Sequence, residues 1–328
     1  MSDTLLESNV KPLSSGDLDA VISIDAAASG VSRRGYFEKR LKAATTNPRD
    51  YAFVGVFERD DLAGFAFAKL VKGAFGKDGA SAALDALGVK PGCNLKGIGQ
   101  KLLDEVEKIL CHKGVSTLTS QVNWGQWPVL NFLAHSGFEL APNMVLTRST
   151  SVIPHELEDD PAEDAREIDY SSPDGDSGNA LSRDRIPIRS MKQGDLGKII
   201  SIDAASSGAN RTEYFTRMQD ENLNQSGVRV SLVAEQDGFP VGFIMARVDF
   251  GAFGRASSEA VLDAIGVDKG YRKQGVGYAL MSKLMANLNI LRAETVRTEV
   301  DWNATGLIDF FSAVGFTPAQ RISLTKAL

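Results

Sequence analysis

Hydrophobic and polar positions follow one schedule twice along the chain. The second pass is the clearer. IPIRSM alternates and predicts a short strand, and Asp195 then opens an apolar helix through Leu196, Ile199, Ile200 and Ile202. A second short helix carries Tyr214 and Phe215. VRVSLVAEQ and PVGFIMARVDF read as strands joined by a hairpin turn at Asp237-Gly238. EAVLDAIGV is apolar throughout, the pattern of a strand covered on both faces. The glycine-rich, cationic turn DKGYRKQGVG follows, then the long amphipathic helix YALMSKLMANLNIL. TVRTEV predicts a strand and TGLIDFFSAVG a helix stopped by Gly315. A closing hairpin is expected from Phe316 to Leu328. The order β-α-α-β-β-β-α-β-α-β-β implies a mixed α+β sheet with helices on its faces, not a doubly wound sheet, which would alternate strand and helix throughout.

The first half repeats this schedule at an offset of 178 residues. IDAAASG from Ile24 maps onto IDAASSG from Ile202, and Tyr36-Phe37 onto Tyr214-Phe215. Gly73-Ala74-Phe75-Gly76 maps onto Gly251-Ala252-Phe253-Gly254, Trp124 onto Trp302, and Gly137-Phe138 onto Gly315-Phe316. No gap is needed from about Val10/Ile188 to Arg148/Lys326. A unit this long is a duplicated domain rather than a solenoid repeat, whose periods run about 20–50 residues. The expected organisation is an N-terminal domain over 1–150, a linker over 151–185 and a C-terminal domain over 186–328. The linker is acidic, rich in Ser, Gly, Asp and Pro, and too poor in large apolar residues to offset its ordering entropy. The two domains are expected to pack as an intramolecular pseudo-dimer.

Composition narrows the function classes. The chain has 328 residues, 43% hydrophobic and 24% charged, which is ordinary for globular domains. A net charge of −6 gives no general attraction for nucleic acid. Apolar runs fall far short of a bilayer span, and the first residues lack the basic start and apolar stretch of a signal peptide, so a cytoplasmic protein without membrane partners is expected. Cys93 and Cys111 are the two cysteines, with no CxxC and no histidine cluster, so no metal site is expected.

The strongest local signal is Arg272-Lys273-Gln274-Gly275-Val276-Gly277, between an apolar strand and a long helix. A pyrophosphate needs backbone N–H donors at a helix start, where the dipole is positive. Glycines permit close approach and unusual φ values, and Arg272 and Lys273 add positive charge. With the preceding Ala264-Ile265-Gly266-Val267-Asp268 and the downstream Phe310 to Phe316 helix end, this arrangement resembles motif A, (Q/R)-x-x-G-x-(G/A), of the GNAT N-acetyltransferase superfamily. The resemblance spans nearly the whole repeat unit, so the chain is identified as a tandem two-domain member.

The resemblance implies acetyl-CoA as co-substrate. Its pantetheine arm would pair with the backbone of Ile265, Gly266 and Val267, and its pyrophosphate would lie on the turn from Lys273 through Gln274, Gly275, Val276 and Gly277 to Tyr278. The reaction implied is direct attack of an amine, on a small molecule or a protein or peptide, upon the acyl thioester. Glu299 in TVRTEVDW matches a glutamate that serves as base in some relatives; a strand glutamate paired with Arg297 or Arg292 is the structural alternative. Asp263 in VLDAIG is the second catalytic candidate, since a carboxylate in an apolar strand must be paired or functional. Its copy Asp85 suggests a shared structural role. Asp301 and Glu259 are further options. Many relatives place a tyrosine acid where this chain has Phe311, so the thiolate would leave without it or with another donor. Trp302 and its copy Trp124 either line an acceptor cleft or pack in the core.

In the N-terminal copy the turn reads Asn94-Leu95-Lys96-Gly97-Ile98-Gly99. Asn94 replaces Arg272, Leu95 replaces Lys273, and Gln121 replaces Glu299. Chemistry is therefore expected mainly in the C-terminal domain. The alternative is a non-catalytic protein that binds CoA or acyl-CoA as a regulator or scaffold.

Overall fold

The computed structural model describes residues 8–72, 80–93, 97–151, 186–208, 210–224, 229–250 and 258–328. The GAFG segments and Asn94, Leu95 and Lys96 lie outside the described residues, as does the linker apart from Ser151.

The first half runs β1 (Ser8–Pro12), α1 (Leu18–Ser29), α2 (Arg34–Thr46), β2 (Tyr51–Glu58), β3 (Asp61–Lys72), β4 (Ala80–Val89), α3 (Ile98–His112), β5 (Thr117–Asn123), α4 (Trp127–His135), β6 (Glu139–Leu140) and β7 (Asn143–Ser149). The second half repeats the order as β8 (Ile188–Ser190), α5 (Leu196–Ser207), α6 (Thr212–Asn224), β9 (Arg229–Gln236), β10 (Phe239–Phe250), β11 (Ser258–Val267), α7 (Val276–Ile290), β12 (Thr295–Asp301), α8 (Thr305–Ala313), β13 (Thr317–Pro318) and β14 (Arg321–Ala327). Asp237 at φ 51° and Gly238 at φ 81° form the expected turn between β9 and β10.

Each half covers its sheet on both faces. In the second, Val276, Leu280, Leu284 and Leu288 recur every four residues along α7 and bury one stripe against the sheet. Ile199, Ile202, Tyr214 and Phe215 of α5 and α6 cover the opposite face with Phe243 and Met245. Buried Arg211–Asp203 and Arg33–Asp25 ion pairs tie each α5–α6 and α1–α2 corner in the same way.

The expected closing hairpins do not form. The sheet orders are β1-β2-β3-β4-β5-β14-β6 and β13-β7-β12-β11-β10-β9-β8. The last strand of each half has left its own sheet and inserted into the other. β7 pairs antiparallel with β12 from Thr295↔Ser149 to Asp301↔Asn143, and β14 pairs with β5 from Arg321↔Asn123 to Ala327↔Thr117. Two reciprocal backbone bonds anchor the crossing: Trp302 N donates to Pro142 O (3.1 Å), and Trp124 N to Gln320 O (3.3 Å). Leu146 of β7 is buried in the C-terminal core and Leu324 of β14 in the N-terminal core. The pseudo-dimer is therefore interlocked rather than merely docked, each sheet being completed by a strand of the other repeat.

Candidate active site

A gap in the C-terminal sheet sets the site. β11 and β12 run parallel and pair only at Glu259↔Thr295, Ala260↔Val296 and Val261↔Arg297. Beyond these residues the strands diverge. A bulge opens here too: Met245 faces Ala264 and Ala246 faces Leu262, which leaves Asp263 as the extra residue. Thr298 Oγ1 donates to Leu262 O (2.9 Å) and wedges the root of the split. Ile265, Gly266 and Val267 stay paired with β10 on one side, so their other edge faces the opening. Gly266 has a further reason to be glycine, because a Cβ there would lie 2.5 Å from the Phe243 ring.

The cationic turn closes the wide end. Lys273 takes φ 59° and Gly275 φ 79°, and Gly275 caps α7 without any side-chain cap bond. The leading amides of α7 are thus presented with the positive end of its dipole. Asp268 braces the turn, accepting from Lys198 Nζ (2.7 Å) and Gly270 N (3.1 Å); the ammonium, then the amide, hold its carboxyl below the usual range. Arg272 Nη2 donates to Ser206 Oγ (2.8 Å), and Gln274 Nε2 to Gly270 O (2.9 Å). Gln274 thus braces the turn by bonding to its backbone, and Arg272, Lys273 and Gln274 are all exposed around it. A Cβ on Gly277 would sit 3.0 Å from Phe310, so this glycine lets α7 approach α8. Tyr278 is exposed and donates its hydroxyl to Ala313 O (3.3 Å). The open strand edge, the left-handed turn and the cations fit a pantetheine arm and a pyrophosphate.

The two catalytic candidates flank the opening. Asp263 and Glu299 lie just past the last paired residues, Val261 and Arg297, on the two diverging strands. Asp263 is buried and paired with Arg247 of β10, and its Oδ2 has no hydrogen-bond partner among the described residues. Glu299 has both oxygens engaged. Gln121 Nε2 donates to Oε1 (2.7 Å) and Asn143 Nδ2 to Oε2 (2.5 Å), both from the N-terminal repeat, and Arg297 Nη1 lies 4.0 Å away. Glu259 is buried against Arg297 (2.8 Å), and Asp301 makes a local bond to Asn303 N (3.1 Å).

Phe311 is core, so no hydroxyl reaches the cleft from that position. Trp302 and Trp124 are 57% and 55% exposed, which corrects the core-packing reading. Sequence reasoning missed Arg247 and the partners Gln121 and Asn143. Arg247 was the findable one, since a buried Asp263 demands a cation and Arg247 is the single one in the facing strand.

The N-terminal half repeats the scaffold. β4 and β5 pair only from Ser81↔Thr117 to Ala83↔Thr119, a bulge frees Asp85, and Ser120 Oγ donates to Leu84 O (3.1 Å). Gly97, at φ 73°, caps α3. Asp85 has Arg40 of α2 at 3.7 Å, and Lys69 of β3 stands at the position of Arg247.

No helix among the described residues is long and apolar enough to cross a membrane, and no group of three metal-ligating side chains occurs among them. The family model of the acetyltransferase (GNAT) family matches residues 18–138 and again 199–316. An N-alpha-acetyltransferase of Sulfurisphaera tokodaii is 30% identical over 135 residues, covering 39% of this chain and 78% of that protein. A tandem GNAT protein from the clavulanic acid biosynthesis pathway superposes with a TM-score of 0.63 at 16% identity, over 98% of both chains. The glucosamine N-acetyltransferase region of a fungal multi-domain beta-N-acetylglucosaminidase superposes with a TM-score of 0.65 at 14% identity, over 98% of this chain and 38% of that longer one. The two family matches fall on the two halves that share the split sheet and the glycine-capped helix, and the chain belongs to the acetyltransferase (GNAT) family as an acyltransferase with two tandem domains.

Proposed function

We propose that the C-terminal half transfers an acetyl or related acyl group from its CoA thioester to an amine. The observation carrying this reading is the split between β11 and β12, with the Lys273–Gly275 turn at its wide end and two carboxylates at its root. Acetyl-CoA supplies the activated acyl group. Ile265, Gly266 and Val267 would hold the pantetheine arm, and Lys273, Gly275, Val276, Gly277 and Tyr278 with Arg272 would hold the pyrophosphate.

The amine nitrogen attacks the thioester carbonyl carbon, the C–S bond breaks, and the nitrogen loses a proton. Asp263 is taken as the base, because Oδ2 accepts from no described donor; its carboxylate is enclosed, so the acceptor amine must open a way to it. Arg247 fixes the other oxygen and orients the carboxylate. Glu299 accepts from Gln121 and Asn143, which fix its carboxylate at the seam, so its part is to shape the polar wall of the cleft. The departing thiolate can leave without a protein acid, given a free thiol pKa of about 8.5.

The acceptor is an amine on a small molecule or on a protein or peptide N-terminus. The relative from Sulfurisphaera tokodaii is named for N-alpha acetylation, which favours peptide N-termini as the first class to try. A panel of peptides, polyamines, aminoglycosides and amino acids, read by free-thiol release, tests the reading. Turnover with one class, lost in Asp263→Asn and largely kept in Glu299→Gln, is expected. Tight acetyl-CoA binding without thiol release on any amine would favour the alternative, a CoA-binding regulatory or scaffold protein, to which the buried Phe311 and the engaged Glu299 lend some support.

A further inference from the structure

Gln121 and Glu299 are the same position in the two repeats, and they touch. Their bond therefore lies on the pseudo-two-fold axis that relates the halves. Asn143 and Arg321 are likewise copies of one position, each on an exchanged strand. Asn143 reaches Glu299 (2.5 Å), and Arg321 Nη1 donates to Gln121 Oε1 (3.3 Å). Behind this quartet the repeats differ in the same sense. The C-terminal half has Glu259 on β11 and Arg297 on β12, both buried and bonded at 2.8 Å, with Arg321 at 3.9 Å from Glu259. The N-terminal half has Ser81 and Thr119 there, which bond to backbone carbonyls. One face of the seam is thus charged and the other neutral.

We infer that the axial pair Gln121–Glu299 is a key that admits only unlike halves, so that strand exchange joins an N-terminal to a C-terminal repeat. At an axis, like halves would bring each residue against itself. Two C-terminal halves would set Glu299 against Glu299 with Arg321 in place of Asn143 beside each, so the like charges on the axis would be held only by guanidiniums that must also be desolvated. That seam would also bury two copies of Glu259, Arg297, Glu299 and Arg321, doubling the desolvated charge. Pairing of two N-terminal halves meets no such barrier. It leaves two C-terminal halves to pair with each other, however, so the charged seam decides the outcome for every chain. The observed pairing meets each Glu299 oxygen with an amide donor instead. The key gives the N-terminal repeat a function independent of any chemistry in its own cleft.

Reciprocal substitution in the full-length protein tests this. The charged groups around the axis are Glu299, Arg297, Glu259 and Arg321, with Asp263 and Arg247 on the adjoining rows, and none of the others is altered. Gln121→Glu places two carboxylates in contact. We expect its melting temperature to fall by about 5 °C or more at pH 8, less at pH 5, with a fraction of dimers or larger species in light scattering. Glu299→Gln makes an amide pair and should shift the melting temperature far less. The double exchange Gln121→Glu/Glu299→Gln restores one carboxylate and one amide on the axis, and should recover most of the lost stability and the monomer. If Gln121→Glu cannot be obtained folded, recovery in the double variant still supports the key. Wild-type stability and mass in Gln121→Glu, or a double variant as unstable as the two single losses combined, would overturn it.

Discussion

The two halves share a scaffold and differ at the places where chemistry would occur. Both split the sheet after three parallel pairs, both free an aspartate at a bulge, and both cap the following helix with a left-handed glycine. The split is therefore a property of the fold. The differences lie in what surrounds it. Asp263 is paired with Arg247 on the neighbouring strand, where the N-terminal half has Lys69, and Asp85 has Arg40 of a helix at 3.7 Å. Glu299 stands where the other half has Gln121. A duplicated cleft can thus keep its shape while its charges differ, and the N-terminal one has an amide, Gln121, where the other has a carboxylate.

The sharpest way to break this comparison is to remove each bulge carboxylate in turn. Asp263→Asn should lower kcat by about 10²–10⁴-fold, the range for losing a general base. Asp85→Asn, compared per folded molecule, should leave kcat within about twofold. Steady-state thiol release measures both, and equal losses would place chemistry in both halves.

Next in size is a cross-half effect that only strand exchange produces. Leu146 belongs to the first repeat by sequence but is buried in the second repeat's core. Leu146→Ala should cost about 2–4 kcal/mol, and hydrogen exchange should accelerate in β11 and β12 rather than in β4 and β5. Leu324→Ala should give the mirror result. If each substitution loosened its own repeat, the strands would not be exchanged in solution.

The exchange shows where the sequence stops being informative. The duplication, the element order and the turn were legible because periodicity and glycine placement are local. NMVLTRS and RISLTKA have the same alternation and fit either sheet equally, so local pattern cannot say which one each strand joins. The chain crosses between the sheets at Ala141-Pro142 and Ala319-Gln320, held by backbone bonds to the other repeat. The partners of Glu299 were hidden for the same reason. The spacing of Glu299 to Gly315-Phe316 matches a glutamate that serves as base in some relatives, but its neighbours Gln121 and Asn143 lie 178 and 156 residues away and meet it only across the exchanged seam. Arg272 was read as a phosphate ligand, and its bond to Ser206 gives it a bracing role as well.

The turn offers a smaller test. Substituting Arg272 and Lys273 together by alanine should weaken acetyl-CoA binding about 10–100-fold by calorimetry, in line with losing one or two charge-assisted contacts of roughly 1.5–3 kcal/mol each in gross terms. The melting temperature should change little, because Asp268 with Lys198 and Gly270 still holds the turn. An unchanged affinity would shift the pyrophosphate reading away from the C-terminal half.

The smallest expected difference lies at the entry to the first helix of each half. Asp195 accepts from Arg189 Nη1 (2.7 Å) and from Lys192 N (2.7 Å), and the guanidinium first, helped by that amide, holds its carboxyl below the ordinary value of 3.8. Its N-terminal copy Asp17 bonds to Ser14 N (2.8 Å) and Ser14 Oγ (2.7 Å), with no arginine among the described residues. A carboxyl with a depressed folded value stabilises the native state fully above its unfolded value. That contribution fades as pH falls through 3.8 toward the folded value. Asp195→Asn should therefore cost about 1 kcal/mol near pH 7, with the deficit shrinking below about pH 4 as the wild type loses the same term. Asp17→Asn should cost less at pH 7, since it forfeits a capping bond without an ion pair. Urea midpoints across this range measure both, and a deficit for Asp195→Asn that stayed constant down to pH 3 would mean Arg189 contributes packing rather than charge.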